Sequence, residues 1–255
     1  MQFNVTNGLS RIAMAALAAG LALALTACGS KGDSTDLPKG EPIAAVPPPT
    51  GKAWSDVVSA TPEDGMRMGN PDAPIKLVEY GSLSCPHCAK LANDGMPTLI
   101  SKYIDSGRVS YEFHSYAIHG FVDLPLTVLV RCASKEAFFP LVEQLYATQA
   151  DWMKAVEANV DKAQTAMKLP PDQRYVGLAK ALGLIDWFAA RGLPEDQAEK
   201  CLADVSAAKK VADDTQKWFK EDGIDSTPTI FMNGNKTNIF EWAELEPALQ
   251  NAGAR

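Results

Sequence analysis

Two cysteines with two residues between them, Cys85-Pro86-His87-Cys88, are the residues of this chain best suited to do chemistry. They follow an apolar run, Ile75-Lys76-Leu77-Val78-Glu79-Tyr80, and precede a helix-like pattern of Leu91, Met96, Leu99, Ile100 and Tyr103. A buried strand therefore hands over to a helix N-terminus at the cysteines. Only a thiolate attacks a disulfide, and the free N–H groups and dipole of a helix start stabilise a negative sulfur. The spacing lets the two thiols of one turn close on each other without moving the backbone. Pro86 falls in the first turn, where its missing N–H costs nothing. His87, when protonated, adds a second positive influence.

Other chemistries fit the same pair less well. A plain structural disulfide uses none of this placement. A zinc site needs four ligands, and no second C-x-x-C or H-x-x-x-H accompanies the pair. Haem attachment needs a histidine directly after the second cysteine, where Ala89 stands. Two distant features favour redox work. Glu79 lies six residues before Cys85 on the apolar run, placed to accept and return a proton for the inner thiol. Near the C-terminus, Ser226-Thr227-Pro228-Thr229-Ile230-Phe231-Met232-Asn233-Gly234 reads as an X-Pro step into a strand and a turn. Proline opening a strand is a candidate cis bond beside a site, so Thr227–Pro228 is expected to be cis.

Glu79 through Cys88 together with Thr227-Pro228 resemble the thioredoxin superfamily, and within it the DsbA-like thiol:disulfide oxidoreductases. The resemblance covers about Trp54 to the C-terminus. It implies that Cys85 is the exposed nucleophile, that Cys88 resolves the mixed disulfide and that Glu79 assists proton transfer at Cys88. It further implies that Thr227 and Pro228 shape the groove for the client's extended chain.

The elements that must position these residues fit that implication. Val109-Ser110-Tyr111-Glu112-Phe113 alternates as a second strand. From about Leu124 to Glu221 apolar residues recur at helical spacing, as in Phe138, Leu141, Val142, Leu145, Trp152, Met153 and Val156. Thr229 to Met232 is a strand, Asn233-Gly234 a hairpin turn, Thr237 to Phe240 the returning strand and Glu241 to Asn251 a closing helix. The expected fold is α/β: a thioredoxin-like domain over 53–255 with a helical subdomain inserted at about 120–205. The aromatic and methionine positions of the central helices read as core, and His114 and His119 as ordinary surface or satisfied histidines.

Upstream, residues 1–27 read as a secretory signal: Arg11 precedes an apolar run from Ile12 to Leu25 that is short for a membrane span. Leu25-Thr26-Ala27-Cys28 resembles the lipobox of bacterial lipoproteins, which implies cleavage before Cys28 and acylation of its sulfur. Cleavage would take Arg11 from the 24 basic residues and none of the 31 acids, moving the net charge from −7 to −8. Residues 28–52, rich in Gly, Ser, Asp and Pro, are expected to be a flexible tether. Five cysteines then divide as Cys28 for lipid, Cys85 and Cys88 for redox work, and Cys132 with Cys201 left over. Two independent buried thiols are the plainer reading of that remainder. In an exported protein a leftover pair is more often a structural disulfide.

A net charge of −7 argues against nucleic-acid binding through a basic surface. The function expected is extracytoplasmic thiol–disulfide exchange with cysteine-bearing client proteins, at a membrane-anchored lipoprotein facing the periplasm or cell exterior. It needs no metal and no organic cofactor, and exchanges electrons with a membrane redox partner. The alternatives are a disulfide isomerase or reductase, and a tethered thiol chaperone or metal-binding module. Two features oppose each other on direction. Pro86-His87 matches the dipeptide of the oxidant DsbA, whereas Thr227 stands where that oxidant has valine. The dipeptide touches the nucleophile's charge directly and favours a net oxidant.

Overall fold

A computed structural model describes residues 40–255. The signal and lipobox readings, with Cys28 and the first part of the tether, lie outside the described residues.

Seven-residue strand β3 (Ile75–Gly81) is the axis of the domain. Its odd-numbered residues are all buried, while the other face goes from exposed Lys76 to half-buried Val78 and Tyr80. It pairs in parallel with β4 (Val109–Ser115) over all seven residues, from Ile75 opposite Val109 to Gly81 opposite Ser115. A parallel pair needs a crossover, and α1 (Pro86–Thr98) supplies it. Pro97 removes one donor from that helix, and the chain widens at once into a π-helical turn, Leu99–Ile104.

Two short strands precede β3: β1 (Val58–Ala60) and β2 (Met66–Gly69). Beyond β4 come eight helices: α2 (Asp123–Cys132), α3 (Lys135–Ala147), α4 (Gln149–Ala158), α5 (Val160–Ala166), α6 (Pro171–Ala181), α7 (Leu184–Ala189), α8 (Glu195–Ala203) and α9 (Val205–Lys220). The chain returns to the sheet as β5 (Thr229–Met232) and β6 (Asn235–Lys236), then closes with α10 (Trp242–Asn251). The strand order is β1-β2-β4-β3-β5-β6, with β3–β4 the parallel pair and the other pairings antiparallel.

The helical layer and the sheet share one core. Phe113 of β4 meets Phe138 and Tyr146 of α3, with ring centroids 6.3 and 6.4 Å apart. Asp204 starts α9 by accepting from the N–H groups of Ser206 and Ala207. At its far end Trp218 packs against Tyr80, His114 and Tyr116, so α9 brings the chain back onto the sheet. Gly95 admits α10: a Cβ there would lie 2.4 Å from the Trp242 ring.

Two expectations change. The returning strand is β6 at Asn235–Lys236 rather than Thr237 to Phe240. After Thr237 bonds back to Ile230 the chain leaves the ladder, which keeps the exposed edge short. Residues 40–49 do not behave as a free tether. Gly40 and Ile43 donate to the carbonyls of Asn251 and Gly253, Val46 donates to Ser106, and Trp54 and Arg108 hold the strap with side-chain bonds to Val46 and Ile43. Backbone pairing of this kind is independent of composition, so a proline-rich stretch can dock without burying much.

Cys132 at the end of α2 and Cys201 in α8 form a disulfide, with Cα atoms 6.2 Å apart. No helix among the described residues is long and apolar enough to cross a membrane.

Candidate active site

Cys85 is the N-cap of α1 and Pro86 its first residue. The approach is set by a turn: the Cys85 N–H donates to Ser82 O at 3.1 Å and Ala89 N–H to Cys85 O. The opposite wall follows from strand register. Tyr80 pairs with Thr229 in antiparallel β3–β5, so residues just before Thr229 must pass those just after Tyr80. The Thr227–Pro228 bond is cis, and the Thr227 carbonyl accepts from Cys85 Sγ at 3.4 Å. Pro228 lacks an N–H and takes nothing from the ladder there.

The two thiols are free and differ sharply in acidity. Cys85 is brought down to about 5, chiefly by a hydrogen bond from the Cys88 thiol. Burial opposes that shift, while the Thr227 side chain and the N–H groups of Cys88 and His87 add to it. These are the free donors of the first helical turn. Thr227 Oγ1 is buried without a partner, so it is available to turn its hydrogen toward the thiolate. Cys88 lies well above an ordinary thiol, first because it is buried, then because its hydrogen is held by Cys85 and because Glu79 adds negative charge. The asymmetry is chemical more than steric: Cys85 is only 2% exposed and Cys88 0%. Cys85 is thus less open than a nucleophile on the surface. His87 is exposed, and only its backbone N–H is aimed at the sulfur.

Glu79 is buried in β3 and raised to about 7, first by burial, then by the negative charge of Cys85. The Tyr111 hydroxyl donates to its Oε2 at 2.7 Å and opposes the rise, while Oε1 has no partner. A carboxyl poised near neutrality beside a high thiol can take up and return a proton at physiological pH. Tyr111→Phe should therefore push Glu79 further up. Carbon NMR of the carboxyl checks this, and an unmoved or lower value would contradict it.

Several contributors were not legible as motifs. Gln149, the first residue of α4, donates to the carbonyls of Leu83 and Cys85 at 3.0 and 3.1 Å. The Tyr146 hydroxyl donates to Ser82 O. Asp123, at the start of α2 and 0% exposed, accepts from Ser82 Oγ at 2.7 Å and from the Ser84 N–H at 3.1 Å. His119, expected to be an ordinary histidine, meets Ser82 Oγ with Nδ1 at 2.8 Å. His114 instead lies buried on the other side of β4, bonded to Glu112 and stacked on Tyr80. Spacing alone links none of these to Cys85, since each reaches the site through a tertiary contact.

The chain is similar to several known proteins. The family model described as Thioredoxin matches residues 61–251. A putative protein-disulfide oxidoreductase of Rickettsia bellii is 27% identical over 190 residues, covering 74% of this chain and 65% of its own. The chain thus spans just under two thirds of that relative. Disulfide bond formation protein D of Bacillus subtilis is 26% identical, covering 72% of this chain and 74% of its own. Among solved structures, a protein-disulfide isomerase from Novosphingobium aromaticivorans superposes with a TM-score of 0.68 at 22% identity, covering 76% of this chain and 97% of that one. Wolbachia pipientis alpha-DsbA1 gives 0.57 at 23% identity, covering 74% and 91%. The chain belongs to the thioredoxin family and carries the fold of its DsbA-like members.

Proposed function

We propose that this protein is an extracytoplasmic thiol:disulfide oxidoreductase that works as a net oxidant of client proteins. The observation that carries the reading is the divergence of the two thiols, one near 5 and the other well above an ordinary cysteine, with the Thr227 carbonyl 3.4 Å from Cys85 Sγ. A client thiolate attacks Cys85 Sγ of the oxidised pair. The Cys85–Cys88 bond breaks, and Cys88 leaves and takes a proton, with Glu79 as the neighbouring proton store. The client's second thiolate then attacks the client sulfur of the mixed disulfide, and Cys85 leaves as thiolate. The client loses two electrons and the cysteine pair gains them. Thr227 and Pro228 line the groove where the client strand lies. No metal or organic group enters these steps, and a membrane redox partner returns the pair to the disulfide.

A stabilised leaving thiolate makes the disulfide the stronger oxidant. The isomerase reading draws on Thr227, whose buried, unpartnered hydroxyl can also bind a client or a mixed disulfide. Reduced and scrambled clients, offered separately at fixed glutathione, separate the two. The expected outcome is fast oxidation of the reduced client and a Cys85–Cys88 potential nearer about −120 mV than about −270 mV. Faster rescue of the scrambled client with little oxidation would reverse the assignment.

Anchoring through acylated Cys28 belongs to the same proposal and is supported by Leu25-Thr26-Ala27-Cys28. Cys28→Ala should abolish lipid labelling and release the protein from membranes. Unchanged membrane association would reject the anchor.

A further inference from the structure

We propose that His119, held on Ser82 and Asp123, is a positioning residue and charge partner for the Cys85 thiolate, and so sets the redox poise of the pair. The proposal deepens the thiol–disulfide reading above and rests on it.

The hydrogen-bond roles follow from the donors present. Asp123 is buried and receives three: Ser82 Oγ at 2.7 Å and the N–H of His119 at 2.8 Å, both on Oδ2, and the Ser84 N–H at 3.1 Å on Oδ1. A carboxylate only accepts, so the Ser82 hydroxyl points its hydrogen at Asp123. Its oxygen is then the acceptor for His119, and Nδ1 of that ring carries the hydrogen. A His–Ser–Asp chain results. Both ends of the short turn 82–84 are staked to α2 by it.

Ser82 is the hinge between this chain and the sulfurs. Its carbonyl receives the Cys85 N–H, and its own N–H is directed at Cys88. The His119 side chain is 45% exposed, so it can gain a proton without opening the core. The charged groups that bear on it are Asp123 from α2 and Cys85 from the start of α1; both favour its protonated form, after the hydrogen bond with Asp123, while partial burial opposes it. Coupling between two sites is reciprocal. If the Cys85 anion favours the His119 cation, the cation favours the anion by the same factor. The step this assists is the departure of Cys85 as thiolate from the mixed disulfide, with electrons counted as above.

Proton NMR of His119 in the reduced protein and in Cys85→Ser tests the coupling with the hydrogen-bond chain intact. The titration is expected about half a pH unit higher in the reduced protein, the size of one solvent-screened charge pair. In His119→Gln the Cys85 thiolate, followed by ultraviolet absorbance, should titrate about half a unit higher. The exchange constant with glutathione should then shift about threefold toward a weaker oxidant, or about 15 mV. Ser82→Ala should give a similar shift, and the double variant no more than either alone. Coincident His119 titrations with an unmoved exchange constant would overturn the coupling, and additive shifts would overturn the route through Ser82. These readouts use no client. Failure of client oxidation with the shifts present would therefore count against the proposed function alone.

Discussion

Cys85→Ser should abolish exchange with client disulfides, by about three orders of magnitude or more, because the reacting atom itself is lost. Cys88→Ala should fail differently. It retains the attacking sulfur but removes the resolving one, so mixed disulfides with clients should accumulate and be visible on non-reducing gels. The same change deletes the largest contribution to the acidity of Cys85, the hydrogen bond from the Cys88 thiol. Its absorbance titration should therefore move up from about 5. The sign of the pH effect follows. Cys85 is depressed from 9.0 to about 5 in the fold, so its anion stabilises the reduced protein fully above 9.0 and that share is lost as pH falls through about 5. The oxidised protein has no such group. The melting temperature of the reduced form relative to the oxidised form should thus drop from pH 9 to pH 5, and a gap that stays constant would contradict the assignment. Glu79 works in the opposite sense: raised from 4.5 to about 7 in the reduced protein, it costs stability as pH rises through that interval.

Removing the second disulfide should have the largest effect on stability. Cys132 and Cys201 are 69 residues apart in sequence and join α2 to α8. Closing a loop of that size restricts the unfolded chain by about 4 kcal/mol. Cys132→Ala with Cys201→Ala should therefore lower the melting temperature by about 8–16 °C for a domain of this length. The thiolate titration of Cys85 should stay where it is, because the bridge touches neither sulfur nor Thr227. A double variant that melts within a degree or two of the parent would show that the bridge carries no such role.

The motif residues were legible because their chemistry is local. Cys85, Pro86 and Cys88 share one helical turn, and the strand pattern of 75–80 already buries Glu79. Thr227-Pro228 was legible for a similar reason, since a proline before an apolar run limits what the chain can do. What stayed hidden depends on partners distant in sequence. Tyr111 controls Glu79 from 32 residues away, and Asp123 and His119 reach Ser82 across 41 and 37. The strands β1 and β2, three and four residues long, are too short to display a period. Composition hides the docking of the strap at 40–49, because it reports what a segment can bury, and this one is held by hydrogen bonds to its main chain.

The register of β3 against β5 also orders events in time. Cys85 and Thr227 are 142 residues apart, yet their strands are neighbours. As the chain emerges from its N-terminus, α1 can form early and offer the N–H groups of His87 and Cys88. The Thr227 contacts arrive only when β5 docks, after all eight helices of the insertion have been made. Contacts between residues so far apart form late, because loop closure must precede them. A nascent chain therefore carries its cysteine pair for most of its synthesis without the wall that completes the site, and the nucleophile reaches full acidity only with the last strands.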